Sequence, residues 1–216
     1  MVVEDWGIVP YAEALERQRT LFRELIADPS GEERLIWCQH YPVFTVGRHG
    51  DMANMLADSA ALRRLGADVV RIERGGDITY HGPGQLVVYP IINLNRHRLG
   101  VKAYVHLLER AVCETLASYG IAADSNDDQI GVWLDWGRRT ARKICAIGVK
   151  ISHGITMHGL ALNVNTDMSP FRLINPCGIT DKDVTSMALE SGHEIPVAEV
   201  ARTLLQNLQS ALDSGC

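Results

Sequence analysis

Gly75, Gly76, Gly82 and Gly84 crowd into the stretch Arg74 to Gln85. So dense a glycine cluster permits positive φ and lets backbone approach a bound molecule closely. It lies between two apolar runs, Ala67 to Ile72 and Leu86 to Leu94, whose Val, Ile and Tyr content reads as strand. Arg74, Thr79, Tyr80, His81 and Gln85 place polar side chains on the same loop. Any fold of this chain must therefore bring two strands to a glycine-rich loop carrying a cation and a histidine.

The remaining chain supplies the elements around that loop. Tyr11 to Ala27 has Ala14, Leu15, Gln18, Leu21, Phe22, Leu25 and Ile26 at helical spacing, with a charged opposite face. Asp28-Pro29-Ser30-Gly31 stops it. Arg34 to His40 and Val43 to Val46 predict two strands broken at Tyr41-Pro42. Asp58 to Leu65 predicts a short helix, capped by Asp58 or Ser59 and ended by Gly66. A long helix is expected over Val101 to Tyr119, and a closing one over Val197 to Leu212. Gly131 to Trp136 and Lys143 to Ile151 predict a hairpin, and Ile155 to Val164 the next strand. Asn165 to Asp183 has little periodicity, and a loop this long is usually functional or mobile.

Strands that cluster without regular βαβ alternation favour an α+β fold, with a mixed sheet covered by helices. No repeat or linker divides the 216 residues, so a single domain over 1–216 is expected. A net charge of −5 argues against a general nucleic-acid binder. The five cysteines are odd in number and widely spaced, with no CxxC, which disfavours a disulfide framework or a zinc site. The first residues have no basic or long apolar segment, and no run approaches the ~20 apolar residues of a membrane span. A cytoplasmic location is the expectation.

Among the cysteines, Cys177 lies in Asn175-Pro176-Cys177-Gly178-Ile179, inside the irregular loop. Cys113 falls in a helix, Cys38 and Cys145 in strands, and Cys216 at the end. Cys177 is therefore the best placed as a nucleophile. A thiol of pKa about 8.5 needs a neighbouring cation or base to ionise. Lys143, at the start of an apolar strand, is one partner; His81, His153 or His158 is another, and spacing does not choose between them.

Several motifs in order resemble the lipoyl(octanoyl) transferase family. They are Pro42 to Arg48, the loop Arg74 to Gln85, Arg142 to Gly148, His158 to Asn165, Asn175 to Ile179 and Val184 to Ser186. The resemblance implies the fold of the catalytic domain of biotin and lipoate protein ligases. It implies that Cys177 carries the acyl group as a thioester and that Lys143 pairs with it. It also implies an acyl site lined by Arg74, Gly75, Gly76, Asp77, Ile78, Thr79, Tyr80 and His81. Ala146, Ile147 and Gly148 from one later segment, and Gly159, Leu160 and Ala161 from another, complete that lining. No cofactor and no metal are implied. The implied donor is octanoyl-acyl carrier protein. The implied acceptors are lipoyl domains of 2-oxoacid dehydrogenase E2 subunits and the glycine cleavage H protein. The alternative within the fold is an ATP-dependent lipoate or octanoate ligase, which needs no loop cysteine. Arg138, Arg139, Arg142 and Arg48 form an expected basic face for acidic partners.

Overall fold

The structure, a computed structural model, describes residues 1–175 and 183–214. Its framework is a mixed sheet of β1 (Val2–Val9), β2 (Arg34–His40), β6 (Gln85–Ile91), β10 (Ile155–Asn163), β9 (Arg142–Ser152), β8 (Val132–Leu134) and β7 (Asp124–Ser125), in that spatial order. The pairing β1–β2 is parallel, and the pairings from β2 through β7 are antiparallel. β11 (Asp183–Val184) lies parallel beside the start of β9. A smaller sheet holds β4 (Asp68–Arg71), β3 (Val43–Val46) and β5 (Ile78–His81), with β3 central.

Helices cover both faces of the large sheet, as its burial pattern demands. β6 and β10 are buried at every residue, so neither face can meet water. One face packs on α3 (Val101–Ser118) and α5 (Val197–Asp213), through Leu86, Val88, Leu160 and Leu162 against Leu108, Val112, Leu204 and Leu208. The other packs on α1 (Tyr11–Ala27), through Val87, Tyr89, Met157 and Ala161 against Leu15, Phe22 and Leu25. These are the apolar stripes read from helical spacing. α2 (Ser59–Leu65) starts where Asp58 Oδ1 accepts the Ala61 N–H at 2.7 Å and ends at Gly66 in the left-handed region. Such a cap contributes about 1 kcal/mol.

Among the elements that the sequence reading did not include are β1, β5, β7, β11 and α4. β1 precedes the first expected helix. The glycine-rich stretch holds β5, whose four residues pair in antiparallel register with all of β3. α4 (Met187–Ser191), capped by Ser186, follows β11. Among the described residues no helix is long and apolar enough to cross a membrane.

Candidate active site

A cavity of about 980 Å³ opens between the large sheet and the glycine-rich loop. Its floor comes from paired positions on β9 and β10. Ala146 faces Ala161 across the ladder, and Gly148 faces Gly159. Such small side chains leave space over the sheet. Gly148 also admits the loop, since a Cβ there would lie 3.0 Å from the Gly75 carbonyl oxygen and 3.2 Å from Arg74 Cδ. Gly75 N–H in turn donates to the Val149 carbonyl at 3.1 Å, which fastens the loop to β9 and shuts that end.

The closed end is built from buried polar groups. Arg74 is 8% exposed, and its Nη2 donates to the Thr45 carbonyl and to Thr45 Oγ1 at 2.8 and 2.9 Å. Its Nη1 donates to the Gly75 carbonyl at 3.0 Å. His81 Nδ1 lies 2.7 Å from Gln85 Oε1, whose amide group donates onward to Asn163 at 2.9 Å. The His81 ring stacks on Tyr11. Burial, then the neighbouring His40 and Arg74, push the His81 pKa down to about 3, so it is neutral near pH 7. His40 bridges the Val9 carbonyl and the Tyr89 hydroxyl, and burial lowers it to about 4. His158 adopts φ 62°, and neither ring nitrogen has a hydrogen-bond partner among the described residues. Its pKa falls to about 3, again from burial.

The other end holds Lys143 on β9. Its Nζ donates to the Ile130 carbonyl at 3.0 Å and lies 4.6 Å from the centre of the Trp133 ring. Both are contacts that suit a cation. β11 runs alongside, with Val184 paired to Lys143 and the Thr185 N–H bonded to the Lys143 carbonyl at 2.9 Å. Asn175, Asp183 and Val184 all line the cavity. Asn175 is itself held by the Asn54 carbonyl, to which its N–H donates at 2.8 Å.

Most residues expected at the site meet at this cavity. Arg74, Gly75, Gly76, Asp77, Ile78, Thr79 and His81 line it. So do Lys143, Ala146, Ile147, Gly148, Gly159, Leu160 and Ala161. Tyr80 does not; it packs on Phe44 and Phe171 in the core of the small sheet. Asp77 also braces the loop, accepting the Asn54 side-chain amide at 2.6 Å. His153, one possible partner for a nucleophile, is exposed at the β9–β10 turn instead. Cys177 lies outside the described residues. The other expected cysteine roles hold in part: Cys38 and Cys145 are fully buried, and burial pushes both thiols up. Cys113, on α3 as expected, is partly buried at the edge of the core.

Arg142 does not belong to a free basic face. Its Nε and Nη2 donate to the Glu190 carboxylate at 2.7 and 2.6 Å, and its Nη1 to Asp135. Thr185 Oγ1 donates to the same carboxylate, so Glu190 ties β9, β11 and α4 together beside Lys143. Sequence reasoning missed the roles of Tyr11, Tyr89, Ile130 and Trp133, which line the cavity from three separate stretches of the chain. No local motif marks them.

Among the described residues no cluster of His, Cys, Asp and Glu is arranged to hold a metal ion. The family described as the lipoyl protein ligase A/B catalytic domain matches residues 10–209. An octanoyltransferase of Bacteroides fragilis is 52% identical over 215 residues, covering 98% of this chain and 97% of its own. Among solved structures, the bipartite lipoate protein ligase of Thermoplasma acidophilum superposes with a TM-score of 0.72 at 15% identity, covering 98% of this chain and 83% of that one. The biotin protein ligase of Aquifex aeolicus, in complex with biotin and ATP, gives a TM-score of 0.56 at 12% identity, covering 98% and 69%. The likeness to these solved structures carries the expected fold, and the sequence match carries the lineage: the chain belongs to the lipoyl protein ligase A/B catalytic-domain family, and within it to the lipoyl(octanoyl) transferases, acyl-transferring enzymes.

Proposed function

We propose that this enzyme moves an octanoyl group from octanoyl-acyl carrier protein to a lysine of a lipoyl domain, through a thioester on Cys177. The acceptors are lipoyl domains of 2-oxoacid dehydrogenase E2 subunits and the glycine cleavage H protein, and the transfer is the first step of endogenous protein lipoylation. One observation carries the reading. Lys143 sits on the cavity wall, and the cavity is also lined by Asn175 and Asp183, the described residues on either side of the Cys177 stretch. The relatives that share most of the chain are octanoyltransferases, which supports the same reaction class.

The chemistry divides in two. The Cys177 thiolate attacks the donor's thioester carbonyl; a new C–S bond forms, the old one breaks, and the carrier thiolate leaves and takes a proton. The acceptor amine then attacks the enzyme thioester, an amide forms, and Cys177 leaves as thiolate while the amine gives up a proton. Thioester exchange is near thermoneutral and aminolysis of a thioester to an amide is downhill, so neither step requires ATP. Lys143, as ammonium, favours the thiolate in the first step and gives its proton to the leaving carrier thiolate; as a neutral amine it then receives the acceptor amine's proton in the second. His81, neutral and tied to Gln85, orients by hydrogen bonding rather than acting as nucleophile.

The test is to mix the enzyme, octanoyl-acyl carrier protein and a lipoyl domain without ATP and to weigh the products. The expected result is one octanoyl mass on the lipoyl domain. With donor alone, one octanoyl mass should appear on the peptide containing Cys177 and be released by hydroxylamine. Modification only in the presence of ATP and free octanoate would replace this reading with the ligase one.

A further inference from the structure

Glu109 sits on α3 beside Leu108, Ala111 and Val112 and is 1% exposed. A carboxylate buried on an apolar helix face is costly unless its oxygens are paired. Oε1 accepts the N–H of Gly131 at 2.9 Å. Oε2 lies 3.0 Å from His106 Nδ1, and the opposite nitrogen of that ring lies 3.4 Å from Asp127. The helix thus grips the segment 126–131 at two points.

The N–H of Gly131 and the carbonyl of Ile130 belong to one peptide group. That group is planar and trans, so its N–H and C=O point in opposite directions as a rigid unit. Glu109 holds the N–H, and Lys143 Nζ binds the carbonyl at 3.0 Å. Turning the plane at one side therefore turns the acceptor at the other. A carboxylate on the N–H also polarises the peptide and strengthens the carbonyl as acceptor. Gly131 presses the unit against the lysine. It takes φ 117°, and a Cβ there would lie 2.5 Å from the Cys145 carbonyl oxygen and 3.3 Å from Lys143 Cε. Trp133, whose ring lies near the ammonium, donates through its indole N–H to the Gln129 carbonyl at 3.1 Å and fixes the preceding peptide.

We propose that Glu109 is a positioning residue for Lys143, acting through the Ile130–Gly131 peptide without itself touching substrate. The proposal rests on the reading of Lys143 as partner of the acyl-carrying cysteine. Misplacing a reacting group by about 1 Å lowers rate on the order of 10²-fold.

The test is a double-mutant cycle on steady-state transfer, with circular dichroism and thermal midpoint recorded for each protein. Glu109→Leu should lower kcat on the order of 10-fold to 10²-fold with little change in KM for the carrier. Glu109→Gln keeps an oxygen acceptor for the Gly131 N–H and should recover most of that loss. In a Lys143→Ala background Glu109→Leu should cost nothing further, because the group it positions is gone. Should Glu109→Leu fail to fold, Glu109→Asp decides: it withdraws the acceptor by one methylene and should slow wild type but not Lys143→Ala. A Gln variant as slow as Leu, or equal losses with and without Lys143, would overturn the proposal. Normal turnover in Lys143→Ala would instead overturn the parent reading, so the two failures are distinguishable.

Discussion

The two ends of the cavity solve opposite problems. At the closed end Arg74 and His81 are buried within a web of Thr45, Gln85, Asn163 and Tyr11, and their hydrogen bonds go to the protein. At the open end Lys143 is partly exposed and, among the described residues, contacts the carbonyl of exposed Ile130 and the ring of buried Trp133. The first arrangement shapes a space and fixes a loop. The second presents a charge at the partly exposed end of the cavity. The closed end should therefore govern stability and the open end turnover.

The largest separation should come from two truncations. Lys143→Ala should reduce transfer on the order of 10²-fold or more while the thermal midpoint stays within about 2 °C of wild type. Lys143→Arg should not restore activity, because arginine stays protonated and cannot take the amine's proton. Arg74→Leu should do the reverse in kind. It leaves the Thr45 carbonyl, Thr45 Oγ1 and the Gly75 carbonyl without their donor. Each buried unpaired group costs about 1–3 kcal/mol, and each kcal/mol shifts the midpoint of a chain this size by about 2–4 °C, so the midpoint should fall by roughly 6 °C or more. A stable Arg74→Leu with normal melting would break the contrast.

Acid should find the closed end next. His81, His40 and His158 are held to about 3, 4 and 3 by burial. In the unfolded chain each titrates near 6.5. Above that value both states are neutral at these sites, and their contribution does not change with pH. Below it the unfolded chain takes up protons that the folded one refuses, so stability drops as pH falls from about 6.5 toward 4. The limiting slope is about 1.4 kcal/mol per pH unit for each histidine. Urea unfolding at pH 7.5, 6 and 5 should show the decline. His158→Asn should reduce the slope by one proton, since asparagine tolerates the left-handed backbone and does not titrate. An unchanged slope would remove His158 from this account.

The sequence showed the two ends unequally. α1, α3 and α5 were legible because each buries one stripe at regular spacing. The β8–β9 pairing was legible as a hairpin and β10 as the strand after it, and His153 and Gly154 between β9 and β10 both take positive φ. β1 was not, because Glu4, Asp5 and Gly7 interrupt its apolar pattern, and its parallel partner β2 is remote in sequence. β5 was hidden among glycines, where flexible composition masks a strand fixed by pairing with β3. Within the site, Lys143 and the Arg74 to His81 loop stood out by motif. The seat of Lys143 did not, because Ile130 and Trp133 carry no chemistry of their own. Glu190, which holds Arg142, lies 48 residues further along the chain.

That last contact sharpens the smallest prediction. With Arg142 bound to Glu190 and Asp135, only Arg138 and Arg139 of the expected hairpin cluster remain on the surface. Arg138 has 78% of its side chain exposed, and its contact with Asp135 is long at 3.8 Å. Charges of this kind steer acidic partners and chiefly alter the association rate. Reversing both to Glu should raise the apparent KM for carrier protein or lipoyl domain only a few-fold at low salt, with kcat unchanged. The effect should fade as ionic strength approaches ~1 M, where the screening length falls to about 3 Å. Arg142→Glu is the control that separates docking from architecture. It sets a carboxylate against Glu190 and Asp135 and loosens β11 beside Lys143, so it should lower kcat and stability at every salt concentration. Equal KM effects from all three positions that fade together with salt would return Arg142 to the docking face and erase the distinction between rim charge and site framework.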